Sequence, residues 1–141
     1  MPVAKRMSAG FTLLELMIVI VVVAVLATIA LPVYQDSKIR SQRATGKGML
    51  YDVATRQEQY FINNKDYATA LTELGYSSVY YVDSKANSVL LADSIYKIEL
   101  SSISSVDVIL ALPQNVQVKD SCGTLTLKMN GEKLPTTEGC W

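Results

Sequence analysis

The apolar run from Phe11 to Val33 limits what this chain can fold into more than any other feature does. Only Thr12, Glu15 and Thr28 interrupt it with polar groups. At a rise of about 1.5 Å per residue the run makes a helix of about 34 Å, long enough to cross a hydrocarbon core of roughly 30 Å. The residues after Tyr34 have ordinary soluble composition. The sequence therefore predicts a membrane-spanning helix followed by one small domain.

Glu15 is the one carboxylate inside this run, which contains no Lys, Arg or His. A charged side chain at the centre of a membrane helix costs roughly 2.5–3.5 kcal/mol, and less near the helix end. A cation for Glu15 must come from a processed amino terminus, from another chain or from the aqueous boundary. The alternative is that Glu15 lies close enough to the interface to be hydrated.

The ten residues that precede the run, MPVAKRMSAG, are short, polar and basic. A secretory signal is cleaved at small residues behind its apolar core, whereas here Ala9 and Gly10 lie in front of it. Basic residues on this side favour a cytoplasmic location for the leader. Cleavage after Gly10 would keep the apolar helix and expose Phe11 as the new first residue.

The sequences GFTLLELMIVI at residues 10–20 and ALPVYQ at residues 30–35 resemble the leader junction and amino-terminal helix of type IV pilins. The resemblance implies that a prepilin peptidase removes residues 1–10 and methylates the amine of Phe11. It also implies that Glu15 pairs with the terminal amine of a neighbouring subunit during assembly. The implied fold is the α+β type IVa pilin fold, in which a long amino-terminal helix packs on an antiparallel β-meander.

The same resemblance implies a domain organisation and a set of partners. Residues 11–34 form the membrane and assembly helix, and residues 35–141 form a periplasmic or extracellular head. The implied partners are other pilin subunits, the prepilin peptidase, an inner-membrane platform protein and an assembly ATPase. The chain is expected in the bacterial inner membrane as a single-pass protein and then in an extracellular pilus that serves adhesion, twitching motility or DNA uptake.

Pro32 lies near the end of the apolar run and is expected to matter for assembly. It lacks an N–H and disfavours helical geometry at the preceding residue, so we expect a kink or a break near residues 28–32. Pilins that unwind this segment in the filament often have glycine where this chain has Ala24. Alanine favours helix by about 1 kcal/mol over glycine, so we expect melting between Ala24 and Pro32 to be less favoured in this chain.

After Pro32 the sequence predicts an amphipathic helix that continues the first and ends at Asn63 or Asn64. Gly46 and Gly48 indicate a bend or a close approach within it. Its apolar stripe recurs at three- and four-residue spacing and is predicted to pack on a sheet. The stripe consists of Ile39, Leu50, Val53, Ala54, Gln57, Tyr60 and Phe61.

Three later segments alternate between apolar and polar residues, which is typical of half-buried strands. Short links between them favour an antiparallel meander, preceded by a short helix near Ala68 to Leu74. Asn130-Gly131 indicates a two-residue hairpin, and Pro135 prevents a long return strand. The residues predicted to face the core are Tyr96, Ile98 and Leu100; Val106, Val108, Leu110 and Leu112, with Ile109 as an exception; and Leu125, Leu127 and Met129.

Cys122 and Cys140 are the two cysteines of the chain. In an exported domain they predict one disulfide, with a stabilisation of about 3 kcal/mol. The alternative is a pair of free buried thiols in a cytosolic protein. The sequence has no histidine, which excludes metal sites of the zinc-finger or zinc-hydrolase kind. It also lacks the common nucleophile and phosphate-loop motifs, so we expect neither an enzyme nor a cofactor.

The carboxyl-terminal sequences SCGTLTLKMNGEK and GCW resemble those of small minor pilins of the PilE kind and of a related DNA-uptake receptor pilin. DNA binding depends heavily on Lys and Arg contacts to phosphate. From Asn64 onward the chain has six basic and nine acidic residues, which argues against strong general DNA binding. A local stripe of Lys119, Lys128 and Lys133 keeps a DNA-uptake receptor as an alternative, and a type II secretion pseudopilin is another.

A second group of basic residues follows the apolar run, consisting of Lys38, Arg40, Arg43 and Lys47. On a helix just beyond the membrane it predicts a solvated face, an inter-subunit face or a contact with lipid head groups.

Overall fold

The computed structural model describes residues 11–103 and 106–141, so Gly10 and the rest of the expected leader lie outside the described residues. The chain divides into two compact units, Met1–Asp36 and Ser37–Trp141. We refer to Ser37–Trp141, which begins two residues after the start of the head expected from the sequence, as the head.

The long α-helix, α1, spans Leu13–Asn64, and its end at Asn64 confirms the prediction. The side chain of Thr12 caps its first turn, because Oγ1 accepts a hydrogen bond from the Glu15 N–H at 3.2 Å. Of the kink or break expected near residues 28–32, the break is absent, since Pro32 lies inside the helix, and the kink stays a prediction. Proline removes one intrahelical hydrogen bond, and the turns on either side retain theirs.

Among the described residues after α1, six strands and three short 3₁₀ helices are formed. The 3₁₀ helices are Leu71–Leu74, Leu91–Asp93 and Asn115–Lys119. The strands are β1 (Tyr80–Val82), β2 (Ser88–Val89), β3 (Tyr96–Ile103), β4 (Val106–Pro113), β5 (Leu125–Lys128) and β6 (Lys133–Leu134).

All six strands form one antiparallel sheet in the order β2-β1-β3-β4-β5-β6. The run from β3 to β6 is the predicted meander, and the predicted α+β fold is confirmed. The hairpin of β1 and β2 was not predicted. Its turn depends on Asp83, whose carboxylate accepts hydrogen bonds from the N–H groups of Lys85 at 2.8 Å and Asn87 at 2.9 Å.

The core lies between the sheet and one face of α1. Of the predicted stripe, Leu50, Val53 and Gln57 are buried. Phe61 was predicted to join them, but it is 37% exposed and stacks on Tyr67 with ring centroids 4.8 Å apart. The full set of buried α1 residues is Gln42, Gly46, Met49, Leu50, Val53 and Gln57.

Gly46 marks a close approach of α1 to the sheet. A Cβ at this position would lie 2.7 Å from Cε2 of Tyr96, and Tyr96 is fully buried. At Gly48 a Cβ would meet nothing within 4 Å. Of the two glycines, Gly46 alone is therefore required by packing.

The face of β4 that meets the core is the opposite of the predicted one. Ile109 and Ala111 belong to the core, whereas Leu110 and Leu112 are half-buried on the other face. Strand pairing explains the error, because residues directly opposite each other share a face. Ala111 lies opposite the buried Ile98, so the β4 residues in phase with it must point inward.

The β5–β6 hairpin has a three-residue loop, not the predicted two-residue one. The N–H of Lys128 donates to the carbonyl of Glu132 at 2.9 Å, and the N–H of Gly131 donates to the carbonyl of Lys128 at 2.9 Å. Gly131 has φ +88°, the left-handed conformation that closes a loop of this length. The sequence Asn130-Gly131 therefore located the turn correctly but not its length.

Candidate functional site

The apolar run forms a helical surface that the described chain leaves uncovered. Its large side chains are exposed all around the helix, from 76% at Leu13 to 51% at Val22. An 18-residue window has a mean hydropathy of 3.1 and no buried residue. By length and composition this part of α1 is able to cross a membrane. A helix that is apolar all round needs lipid or other helices as its surroundings.

Glu15 lies in the first turn of α1. Within residues 11–103 and 106–141 its carboxylate makes no ion pair and no side-chain hydrogen bond. Phe11, the expected first residue of the processed chain, precedes the helix and is largely exposed. The expected roles of Phe11, Glu15 and Pro32 involve a second subunit, and those roles stay predictions.

In the head, the Arg43 guanidinium joins α1 to both ends of residues 120–140, which we call the cysteine segment. Nε donates to Asp120 Oδ2 at 2.9 Å and Nη2 donates to Asp120 Oδ1 at 2.5 Å. Nη1 donates to the carbonyl of Gly139 at 2.8 Å. Cys122 and Cys140 form a disulfide with their Cα atoms 5.7 Å apart. One side chain of α1 thus holds the residues that flank the disulfide.

The environment of Asp120 favours its charged form. Burial disfavours ionisation, but hydrogen bonds from Arg43, the Cys122 N–H and Gln117 outweigh that effect and lower the pKa of Asp120 below its ordinary value. The hydrogen bond to Asp120 raises the pKa of Arg43 in turn. Burial raises the pKa of the nearby Tyr96 to about 12. The arrangement is a buried ion pair with neutral neighbours.

No pattern in the sequence indicated that Arg43 and Asp120 pair. Arg43 and Asp120 lie 77 residues apart, and Arg43 was interpreted as part of a solvated, inter-subunit or lipid-facing group. The structure corrects that interpretation, since the Arg43 side chain is 11% exposed and the Asp120 side chain is fully buried. No local spacing rule links the two residues, so neither periodicity nor a motif points to the pair.

A groove of about 330 Å³ lies between α1 and the cysteine segment. We call it the basic groove, and its charged lining residues are Arg40, Arg43, Lys47 and Glu138. Because Arg43 is paired with Asp120, the positive charge available to a ligand comes from Arg40 and Lys47. The groove has the chemistry to accept an anionic group.

The three lysines of the predicted stripe have different surroundings. Lys128 pairs with Glu132 at 2.8 Å. Lys133 Nζ lies 5.5 Å from the ring centroid of Tyr51 and 5.6 Å from that of Trp141. Lys119 is exposed at the end of a 3₁₀ helix. Among the described residues, no group of three or more His, Cys, Asp or Glu is arranged to hold a metal ion.

Two family models match the chain. Residues 32–126 match the family described as "Type IV minor pilin ComP, DNA uptake sequence receptor". Residues 5–31 match the "Prokaryotic N-terminal methylation motif". The two matches together extend from Lys5, within the expected leader, to β5.

Individual relatives agree with these matches. A fimbrial protein of Neisseria meningitidis is 36% identical over 74 residues, which cover 52% of this chain and 44% of that protein. The type IV major pilin protein PilE1 of Neisseria gonorrhoeae is also 36% identical over 74 residues, which cover 52% of this chain and 45% of that protein. The matched segment thus spans less than half the length of either relative.

A solved structure shares the fold. The type IV pilin from Shewanella oneidensis superimposes with a TM-score of 0.51 at 23% identity, covering 73% of this chain and 97% of that one.

Proposed function

Since this chain belongs to the type IV pilin family, we propose that it is cut after Gly10, stored in the inner membrane through residues 11–34 and then polymerised into an extracellular pilus. One observation supports the proposal above the others. The apolar surface of residues 11–34 is uncovered, and within the described residues the carboxylate of Glu15 has no cation. The amine of Phe11 on a neighbouring subunit would neutralise Glu15, and neighbouring helices would cover the surface.

Assembly of such a subunit has to be driven. Exposing apolar surface to water costs about 25 cal/mol per Å², so the helix is stable in lipid or in a helix bundle but not in water. The proposal therefore includes an assembly ATPase and an inner-membrane platform protein that move the subunit from the membrane directly into the growing filament. The polymer is a structural assembly, in which the chain acts by packing and not by catalysis.

The Glu15→Val variant tests the pairing. We expect it to insert into the membrane and to be processed, but to enter pili poorly, because the carboxylate that pairs with the neighbouring amine is gone. Thr28→Val is the matched control, since it replaces another polar residue of the same run whose hydroxyl only donates to the Val25 carbonyl. The measurement is the amount of each variant in sheared surface filaments, by quantitative mass spectrometry.

Normal incorporation of Glu15→Val would contradict the pairing. The same filaments show whether the mature chain begins at a methylated Phe11, and a first residue downstream of the apolar run would contradict the whole proposal. The ratio of this chain to other pilins also separates a minor from a major subunit. That distinction is needed because the matching family model is described as a minor pilin, whereas PilE1 is described as a major pilin.

DNA binding is the second candidate function, because the family model that matches residues 32–126 is described as a DNA uptake sequence receptor. Arg40 and Lys47 of the basic groove are about 10 Å apart along the α1 axis, roughly the rise of three nucleotides in one strand. Glu138 in the groove and the acidic balance of the sequence after Asn64 oppose a large electrostatic contribution. We therefore propose that DNA, if bound, is held through few phosphate contacts.

Fluorescence anisotropy with a labelled DNA duplex tests this candidate, using the full chain in detergent micelles over a range of salt concentrations. Replacing both Arg40 and Lys47 by Ala should weaken binding and reduce the logarithmic salt slope by about two, since each lost phosphate contact contributes about 0.9. The control variant replaces Lys65 and Lys85, which lie outside the groove lining. Equal weakening in both variants would contradict the groove as the site, and no binding at physiological salt would contradict the DNA candidate.

A further inference from the structure

We propose that Arg43 is a positioning residue for formation of the Cys122–Cys140 disulfide, holding both ends of the cysteine segment on α1 before the sulfur atoms are joined. The proposal concerns the head alone and does not depend on pilus assembly or on DNA binding.

The contacts of Arg43 lie next to each cysteine in the chain. Asp120, which accepts two of its hydrogen bonds, is two residues before Cys122. Gly139, whose carbonyl accepts the third, directly precedes Cys140. A single planar guanidinium therefore contacts both ends of the loop that the disulfide closes. Its rigid fork of donors fixes direction as well as distance.

Asp120 connects Arg43 to the backbone of Cys122 by hydrogen bonds. Asp120 Oδ1, which accepts from Arg43 Nη2, also accepts from the Cys122 N–H at 3.0 Å. Asp120 Oδ2 accepts from Arg43 Nε and from Gln117 Nε2, the latter at 2.8 Å. The Asp120 side chain and Gln117 are fully buried. The carboxylate therefore has little freedom to move, and Cys122 is held in register with Arg43.

These contacts do not include either sulfur atom, so they are able to form in the reduced chain. Closing a loop costs conformational entropy, which must be lost before the thiols meet. If Arg43 already holds Asp120 and Gly139, most of that loss has occurred when an oxidant arrives. By reciprocity of coupled equilibria, the disulfide stabilises the Arg43 contacts by the same factor by which they favour the disulfide.

The covalent step is thiol–disulfide exchange with an oxidant that itself contains a disulfide, such as glutathione disulfide. One cysteine thiolate attacks the oxidant and releases one thiol, forming a mixed disulfide. The second cysteine thiolate then displaces the remaining half of the oxidant. The two cysteines lose two electrons and two protons, and the oxidant gains both as two thiols. Arg43 takes no part in electron transfer and acts only by position.

The test is the equilibrium between the full chain in detergent micelles and a glutathione redox buffer. The oxidised fraction, measured by thiol alkylation and mass spectrometry, gives the effective concentration of one thiol toward the other. We expect Arg43→Gln to lower this value about tenfold to hundredfold, since charge-assisted hydrogen bonds on both sides of the loop are lost. Arg56→Gln is the control, because Arg56 is also on α1 but contacts the Leu74 carbonyl and the Tyr76 ring.

General destabilisation is separated from positioning by near-ultraviolet circular dichroism of each reduced variant. In a reduced head that is still folded, a lower effective concentration reports on the cysteine segment and not on global stability. If the reduced Arg43→Gln head is unfolded, Arg43→Lys is used as the test variant. Its effective thiol concentration is expected to lie between that of the wild type and that of an unfolded chain. A value within twofold of wild type, in whichever of the two variants is folded, would overturn the proposal.

Discussion

Residues 11–36 and the head are both rich in apolar side chains, but they differ in what covers those side chains. In the head, Leu50, Val53 and Ile98 are buried between α1 and the sheet. In residues 11–36 the equivalent side chains, such as Leu26 at 61% exposure, have no cover from the described chain. The head contains its own hydrophobic core, whereas the first region needs lipid or other helices as its surroundings.

The same substitution in the two regions measures this difference most directly. Leu50→Ala should destabilise the head by about 2–5 kcal/mol, because it leaves a cavity in a closed core. Leu26→Ala should leave the head's stability unchanged, since that side chain contributes nothing to the core. Thermal unfolding of the full chain in detergent micelles, followed by near-ultraviolet circular dichroism, measures both. A similar loss from Leu26→Ala would mean that the two regions unfold as one unit.

Alanine substitutions at the two glycines of α1 should change the stability of the head by smaller amounts and in opposite directions. Gly46→Ala should destabilise by about 1–3 kcal/mol, because its Cβ would overlap the buried ring of Tyr96. Gly48→Ala should stabilise by up to about 1 kcal/mol, since alanine favours helix and nothing lies within 4 Å of its Cβ. Urea unfolding midpoints of the two variants provide the comparison. Two changes of the same sign would contradict the packing of Gly46 against Tyr96.

Low pH should destabilise the head, because the carboxylate of Asp120 becomes protonated. The folded-state pKa of Asp120 is lowered, so the unfolded chain binds more protons than the folded one at low pH. The ionised carboxylate of Asp120 contributes fully to the free energy of unfolding above about pH 4, the ordinary pKa of an aspartate. This contribution is lost as the pH falls through the lower pKa that Asp120 has in the folded state. We expect Asp120→Asn to remove this part of the acid sensitivity, because asparagine does not titrate. The measurement is the unfolding midpoint of the wild type and of Asp120→Asn as a function of pH. If the two profiles run parallel at low pH, Asp120 is not the source of the acid sensitivity.

The exposed pair of Lys97 and Glu99 on β3 should give the smallest effect. Their side chains are 30% and 38% exposed, and pairs of this kind contribute about 0–1 kcal/mol. Lys97→Ala should therefore lower the free energy of unfolding, measured by urea denaturation, by less than about 0.5 kcal/mol. Added salt should remove most of that difference. A loss comparable to that of Leu50→Ala would show that this outer face of β3 is covered by something other than water.

Local patterns predicted the features that arise within a few residues of sequence. The length of the apolar run, the end of α1 at Asn64 and the positions of β3, β4 and β5 follow from periodicity and from breaker residues. The inward face of β4 was wrong because both of its faces are apolar, as Val108 and Ile109 are each almost fully buried. In such a strand only the register against Ile98 on β3 decides which side chains reach the core.

The sequence by itself determined that about one sixth of this protein is a membrane-length apolar run with a single carboxylate, because hydrophobicity and charge belong to the residues. Only the tertiary structure decided that Arg43 pairs with Asp120, that Gly46 faces Tyr96 and that Gly139 lies beside α1. Each of these contacts joins residues at least 50 apart in the chain. They exist because burial of the core brings α1 and the cysteine segment together, and no rule of local spacing contains that information.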